Sequence, residues 1–173
     1  IKNEILLKDH NVEIKLKDNI FIINGSGNLL AQKKLDRIDY SFNNTGKFYQ
    51  FKTSLELNQN PFLLEFLNYK KDEESNAIIQ IEFLINQNKD VELKNIKIRE
   101  NNNKFIIKNV ILDKDFKIKQ IDKIDLDYID KDNKENLIKL TRSKDTYDLI
   151  GTKFNANNLI TKILNDDENK HDL

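Results

Sequence analysis

Hydrophobic and polar residues alternate along most of this chain, which is the pattern of β-strands with one apolar face. In the longest such stretch, Tyr49, Phe51, Thr53, Leu55 and Leu57 would lie on one side of a strand and polar residues on the other. Shorter stretches of the same kind lie at 12–16, 38–42, 79–85, 137–142 and 147–151. Short polar runs separate them, so we predict strands joined by hairpin turns.

A six-residue phrase recurs three times at a spacing of fourteen residues, about the length of one strand and one turn. The copies occupy 93–98, 107–112 and 121–126. In each copy the alternation slips by one residue, which predicts a β-bulge or strand break. The slips lie near Asn95, Asn109 and Lys123. Reiterated strands with bulges predict a mainly β fold, a curved, twisted antiparallel meander sheet that forms an open groove or a partial barrel.

Two segments depart from the simple alternation. Gly25 and Gly27 follow a short apolar run and predict a turn or bulge over 24–28. They do not form a dinucleotide fingerprint, because Leu30 occupies the place of its third glycine. Residues 62–69 carry apolar side chains on both faces, which predicts a strand covered on both sides, and the charged residues 70–76 predict a turn.

The C-terminal region alone shows a helical pattern. Asn155 has the side chain of an N-cap. Four apolar residues then fall on one face of a helix of about ten residues: Leu159, Ile160, Ile163 and Leu164. We therefore divide the chain into a repetitive antiparallel sheet over 1–153, an amphipathic helix over 154–166 and a polar tail over 167–173.

Composition narrows the classes of function. Lys and Arg number 29, as do Asp and Glu, so the net charge is zero and gives no long-range field for nucleic acid. The absence of Cys excludes a disulfide framework and Cys-based metal sites. No apolar run reaches the roughly 18 residues that span a bilayer. The sequence also lacks Met, and we expect it to be a fragment of a longer protein.

No constellation of catalytic or metal-binding residues stands out. An acidic cluster lies between 122 and 135, but lysines are interspersed and the glycine and spacing of an EF-hand loop are missing. His10 and His171 are the only histidines, and no Ser or Cys motif accompanies them. We expect no enzymatic activity, no cofactor and no metal site.

Six short motifs follow one another in an order that a known family shares. They are Gly25-x-Gly27-x-Leu29, the Tyr40/Phe42 strand, Tyr49-x-Phe51-Lys-Thr53, Pro61-Phe62, Leu67-Asn68-Tyr69 and Gly151-Thr-Lys-Phe154-Asn-Ala156-Asn-Asn-Leu159. This series resembles the AsmA-like superfamily, which includes AsmA, TamB and YhdP. The resemblance implies a large envelope protein of Gram-negative bacteria, anchored in the inner membrane by a helix outside this sequence. Its groove-shaped sheet would cross the periplasm and move phospholipid towards the outer membrane.

Under this resemblance, apolar residues of successive strands would line the groove. The candidates are Tyr49, Phe51, Leu55, Leu57, Ile79, Ile81, Phe83, Ile85, Ile96, Ile98, Val110, Leu112, Ile124 and Leu126. Such a strip would hold acyl chains at roughly 0.8 kcal/mol per buried CH₂. The expected partners are phospholipid acyl chains and further groove segments of the same longer chain, not nucleic acid.

Two other functions fit the same pattern. One is a structural or adhesive β-repeat domain of the cell envelope, in which two packed sheets seal the apolar residues in a core. The other is a soluble single-lipid carrier, a half-barrel with the C-terminal helix as its lid. The geometry of the sheet discriminates between them, because only an open apolar face leaves room for sliding lipid.

Overall fold

The predicted meander is present as one open antiparallel sheet. The structure is a computed structural model that describes residues 6–18, 20–31, 34–86 and 90–157. Ten strands pair in chain order in the main sheet, which does not close into a barrel, and two more form a separate small sheet. The predicted fold class, a mainly β antiparallel meander, is confirmed.

The strands of the main sheet are 8 to 12 residues long and are connected mostly by tight turns. They are β1 (Leu6–Lys17), β2 (Ile20–Ala31), β3 (Lys34–Asn44), β4 (Phe48–Leu57), β5 (Phe62–Leu64), β6 (Tyr69–Lys71), β7 (Ala77–Asn86), β8 (Val91–Glu100), β9 (Asn103–Leu112), β10 (Ile118–Ile129), β11 (Glu135–Ser143) and β12 (Thr146–Lys153). In the main sheet β4 lies next to β7, because β5 and β6 pair only with each other. Residues 58–76, between β4 and β7, are called the insert.

Strand pairing gathers the apolar residues on one side of the main sheet. Phe51 lies opposite Phe42 on β3 and Phe83 on β7. Phe83 lies opposite Leu93 on β8. Because directly opposed residues point to the same side of a sheet, the alternation along each strand produces an apolar face and a polar face.

Opposed residues on the apolar face form rows that run across the strands. Numbered from the β3–β4 turn towards the insert, row 1 is Asn44, Tyr49, Ile85, Val91, Leu112; row 2 is Phe42, Phe51, Phe83, Leu93, Val110, Ile121; row 3 is Tyr40, Thr53, Ile81, Ile96, Ile107, Ile124; row 4 is Ile38, Leu55, Ile79, Ile98, Phe105, Leu126; and row 5 is Leu57, Ala77, Glu100, Asn103. Rows 2 to 4 are almost entirely apolar across these strands.

The slip in the repeat produces a register shift where the repeated strands begin. β7 passes from Ile81 to Phe83 in two residues, whereas β8 takes three residues between Leu93 and Ile96. The pairing therefore shifts between Glu82 and Phe83. In β8, β9 and β10 the alternation is interrupted by one extra residue at the same level. No register shift therefore arises there between these strands, and their apolar residues stay on one face.

The predicted irregularity is confirmed near Asn95 and Asn109. Asn95 flanks the register shift, and Asn109 has a φ of 51°, a left-handed conformation that asparagine tolerates. Near Lys123 the alternation slips as predicted, because Ile121 and Ile124 both lie opposite apolar-face residues of β9. It produces no register shift there, because β9 slips at the same level.

Of the predicted turn or bulge over 24–28, the turn is wrong, since these residues form the middle of β2. A bulge does lie at this level, but its extra residue is on β1, between Lys8 and Asn11. A Cβ on Gly25 would overlap the ring of Tyr40, and one on Gly27 would overlap the imidazole of His10. The glycines therefore make room for rings that reach over from the neighbouring strands.

The predicted single strand at 62–69 is also wrong. β5 and β6 are the arms of a hairpin, with Leu64 opposite Tyr69 and a 3₁₀ helix (Glu65–Leu67) between them. Asn68, with a φ of 53°, ends the 3₁₀ helix. The predicted charged turn at 70–76 is shorter than expected, because β6 continues to Lys71.

The predicted C-terminal helix falls largely outside the described residues. Residues 154–156 have no regular secondary structure and Asn157 is helical, whereas 158–166 and the tail at 167–173 are not described. Asn155, the predicted N-cap, donates its side-chain amide to Asp130 at 2.7 Å and its backbone N–H to Asn136 Oδ1 at 2.8 Å. It thereby attaches the end of β12 to neighbouring strands.

Within the ranges that the structure describes, no helix is both long enough and apolar enough to span a membrane.

Candidate apolar binding face

The fourteen residues predicted to line a groove lie together on the apolar face. They are Tyr49, Ile85 and Leu112 in row 1; Phe51, Phe83 and Val110 in row 2; Ile81, Ile96 and Ile124 in row 3; Leu55, Ile79, Ile98 and Leu126 in row 4; and Leu57 in row 5. They come from five adjacent strands, β4 and β7 to β10. The sequence prediction therefore located one continuous surface.

Exposure differs along this surface. Leu57, Ile98, Val110 and Leu126 are buried, Tyr49 is 45% exposed, and the others are half-buried. Among the described elements, only the insert packs onto the apolar face, and its contacts centre on row 4. In the part of the chain that is described, rows 1 to 3 therefore have no second layer over them.

An aromatic cluster seals the insert onto the sheet. The ring of Tyr69, 1% exposed, lies 4.6 Å from that of Phe105 and 5.8 Å from that of Tyr128, measured between centroids. Ile98 and Leu126 belong to the same buried cluster. Row 4 is therefore closed on β8, β9 and β10, and the predicted groove residues in that part of it face the insert.

Buried polar groups fasten the first part of the insert. The carboxylate of Asp36 accepts hydrogen bonds from the backbone N–H groups of 58–60 at 2.7, 2.8 and 3.1 Å, and from the side-chain amide of Asn60 at 2.7 Å. Lys71, which is fully buried, donates to the backbone carbonyls of Asn60 at 3.0 Å and Asp72 at 2.8 Å. Burial lowers the pKa of this ammonium group. These bonds hold the two ends of the insert together.

The tip of the insert is fastened to the β10–β11 connection. Asn68 donates from its side chain to Asp132 at 2.7 Å and accepts from the backbone N–H of Lys131 at 2.9 Å. The hydroxyl of Tyr128 donates to the carbonyl of Leu67 at 3.0 Å. The insert is thus held at its base by Asp36 and Lys71 and at its tip by the β10–β11 connection, which makes it a fixed part of the apolar face.

Asp130 organises the connection that receives the insert tip. Burial disfavours its charged form, but hydrogen bonds from the Asn155 side chain, the N–H groups of Lys134 and Asp132, and the Asn68 side chain outweigh burial. Together they hold the pKa of the Asp130 carboxyl below its usual value. The ionised carboxylate is therefore the form that stabilises the fold.

A pH dependence of stability follows from this carboxylate. Because the folded-state pKa of Asp130 lies below the unfolded value near 3.8, its contribution is complete at neutral pH and is lost as the pH falls through the folded-state pKa. We expect Asp130→Asn to lower the free energy of unfolding by about 1–2 kcal/mol at pH 7, and by less at pH 3. Urea denaturation of both proteins across this range measures the difference. A difference that stays constant with pH would contradict this role.

The remaining candidates from the sequence have structural roles. In the acidic cluster, Asp125 pairs with Lys104 at 3.1 Å and Asp122 with Arg142 at 3.6 Å. The imidazole of His10 covers a glycine and contacts a backbone carbonyl at 3.1 Å. No group of three acidic or histidine side chains in the described ranges is arranged to hold a metal ion.

The polar face carries a shallow concavity of about 680 Å³. Short polar side chains line it, among them Asn24, Ser26, Ser41 and Ser54, and the nearby Glu82 forms an ion pair with Lys52 at 3.3 Å. Because most of its side chains are polar, the concavity offers an acyl chain less apolar side-chain surface than rows 1 to 3 of the other face, and burying unpaired polar groups is unfavourable. The apolar surface with which lipid would associate lies on the other face.

No protein-family model matches the chain, and comparisons with curated proteins and with solved structures found no match.

Proposed function

We propose that this chain is a segment of an AsmA-like envelope protein whose apolar sheet face holds and conducts phospholipid between the inner and outer membranes. The observation that carries the proposal is the apolar face, over whose rows 1 to 3 no described element forms a second layer. The full protein would lie in the periplasm, with its membrane anchor outside this sequence. Further sheet segments of the same chain would continue the face.

Row 3 has the properties that lipid movement requires. Ile81, Ile96, Ile107 and Ile124 lie opposite one another on four successive strands. Strands lie about 4.8 Å apart, so an acyl chain meets nearly the same apolar surface at each step across the sheet. Each buried CH₂ contributes roughly 0.8 kcal/mol, and identical neighbours keep successive positions close in energy. Lipid bound to such a row is held without being trapped at one strand.

The polar face keeps one side of the sheet hydrated, although the other side is apolar. Its side chains include ion pairs between neighbouring residues, such as Lys52 with Glu82 at 3.3 Å and Lys104 with Asp125 at 3.1 Å. An exposed pair such as Lys52 with Glu82 adds little stability, but it keeps that side of the sheet hydrated. The sheet therefore offers lipid one face only.

The adhesive-domain alternative is less well supported. A sealed core needs a second layer over the whole apolar face, whereas the insert is the one described element over that face and its contacts centre on row 4. A single-lipid carrier would bind lipid on the same rows. It would differ from the conducting groove in how lipid is transferred, because the position of the binding site would be the same.

Photo-crosslinking in the native host tests the proposal. A photoreactive residue placed at Ile81 or Phe83 is expected to form phospholipid adducts, because both positions lie on uncovered rows. The matched controls Gln80 and Glu82 lie on the polar face of the same strand and should give none. Mass spectrometry of the labelled protein identifies the adducts.

Ile98 provides a second control for this experiment. It is 9% exposed and lies in the cluster under Tyr69, so a photoreactive group there should label the insert and not lipid. Equal lipid labelling of the two faces, or none at Ile81 and Phe83, would contradict the proposal.

A further inference from the structure

The apolar face has one closed end and one open end. At the closed end, the insert covers row 4 with a buried cluster that contains Tyr69, Phe105 and Leu126. At the other end, the β3–β4, β9–β10 and β11–β12 turns place no described element over row 1. Apolar surface therefore runs along the strands from the turns and stops at the insert.

The length of this uncovered stretch matches one acyl chain. On β7, where Ile81, Phe83 and Ile85 are all partly exposed, it runs from Ile85 in row 1 to Ile81 in row 3, four residue steps or about 14 Å at 3.4 Å per residue. The hydrocarbon core of a bilayer is about 30 Å thick, so the chains of one leaflet span about 15 Å. A lipid chain laid along a strand would therefore fill rows 1 to 3 and end at the insert.

We infer that the insert is the end wall of an acyl-chain site, in which the chain lies along the strands with its terminal methyl group against the insert and its headgroup at the turns. This inference rests on the proposed function, because it assigns an orientation to the lipid on the same face.

Charge and exposure at the two ends agree with this orientation. The closed end holds three buried carboxylates, Asp36, Glu100 and Asp130, and one buried ammonium group, that of Lys71, so its buried groups carry a net negative charge that would repel a phosphate group. At the open end, the β9–β10 turn presents Phe116, 72% exposed, between Lys114 and Lys117. An exposed aromatic ring beside ammonium groups suits the boundary between acyl chain and phosphate.

The same turn holds two acidic residues, Asp113 and Asp115, and the first of them is engaged by the turn's own backbone. The carboxylate of Asp113 accepts hydrogen bonds from the backbone N–H groups of Asp115 at 2.8 Å and Lys117 at 2.9 Å. The Asp113 carboxylate is therefore bound by backbone N–H groups of its own turn. Lys114 and Lys117 are exposed, so a phosphate oxygen can accept hydrogen bonds from their ammonium groups.

The orientation also accounts for movement across the sheet. A chain lying along one strand shifts sideways by about 4.8 Å to reach the next strand. Its headgroup stays in water at the turns throughout, and its end remains against the insert while it crosses β8, β9 and β10. Sliding therefore exposes no polar headgroup to the apolar rows.

Depth-dependent quenching of tryptophan fluorescence tests the orientation, since the chain has no native Trp. One reporter is Phe116→Trp at the open end and the other is Phe62→Trp in the insert, where the ring of Phe62 lies 5.8 Å from that of Tyr69 at a tilt of 58°. The probes are phosphatidylcholine vesicles that carry a nitroxide on the headgroup or near the end of the acyl chain. Should Phe62→Trp not fold, Leu63→Trp replaces it, because Leu63 is 50% exposed.

We expect the headgroup nitroxide to quench the Phe116→Trp protein at least twofold more than the insert reporter, and the chain-end nitroxide to show the opposite preference. Equal quenching of both reporters, or the reverse pattern, would overturn the end wall while leaving lipid binding intact. Lipid association is measured separately by flotation of protein with radiolabelled vesicles. Absence of association would overturn the proposed function together with this inference.

Discussion

Replacing Tyr69 by alanine is expected to lower the free energy of unfolding by about 3–5 kcal/mol, the usual range for removing a buried aromatic ring. The ring is 1% exposed and touches the rings of Phe62, Phe105 and Tyr128. Its removal leaves a cavity between insert and sheet. It also removes the hydroxyl that donates to Glu100, and a buried carboxylate that loses a donor is destabilised. Urea denaturation followed by circular dichroism measures the loss.

Two variants separate the contributions of ring and hydroxyl. Tyr69→Phe keeps the ring and should cost only about 1–2 kcal/mol, because Glu100 retains the side-chain amide of Asn103 at 3.0 Å. Leu63→Ala changes a half-exposed residue of the same hairpin and should cost less than about 1 kcal/mol. If Tyr69→Ala were no more damaging than Leu63→Ala, the insert would not be packed on the sheet as described.

The apolar face was predictable because alternation is a local property. In an open sheet only one side of each strand is apolar, so Ile79, Ile81, Phe83 and Ile85 reveal their side by spacing alone. Antiparallel neighbours joined by short turns then share that face. The rows follow from these two rules without knowledge of any contact between distant residues.

The insert was not predictable from the same rules. Tyr69 faces the sheet, while Leu63 and Phe66 are each 50% exposed, so apolar residues on both sides of the segment suggested one strand between two layers. Its anchor Asp36 lies more than twenty residues before the backbone groups that it binds. Long-range hydrogen bonds of this kind leave no periodic signal in the sequence.

Which residues of the candidate site are buried could not be predicted from the sequence for the same reason. Ile98 and Leu126 alternate as regularly as Ile81 and Phe83, yet they are covered because the insert happens to lie over row 4. The two glycines at 25 and 27 were misread because their role depends on the rings of Tyr40 and His10 from adjacent strands. Spacing identifies the face, but only packing shows which part of it is open.

Replacing Phe83 by aspartate should have the largest effect on lipid. Phe83 lies in row 2 between Phe51 and Leu93, with its ring 5.1 Å from that of Phe51. A carboxylate there would deprive an acyl chain of contact with about two CH₂ groups or more, roughly 1.6 kcal/mol. Since 1.4 kcal/mol corresponds to about a tenfold change in affinity, we expect binding of phosphatidylcholine to fall by at least about tenfold. Titration of the purified chain with labelled vesicles measures this affinity.

The control for Phe83→Asp is its neighbour on the polar face. Glu82 accepts a hydrogen bond from Gln50 at 2.7 Å and pairs with Lys52, so Glu82→Gln keeps the shape and alters one charge away from the apolar rows. Its lipid binding should equal that of the unmodified protein. Phe83 is half-buried, so Phe83→Asp should cost about 1–2 kcal/mol of stability, mainly by losing the ring contact with Phe51. If Phe83→Asp instead unfolded the chain, row 2 would be part of a sealed core. If both variants bound lipid equally well, the open face would not be the site.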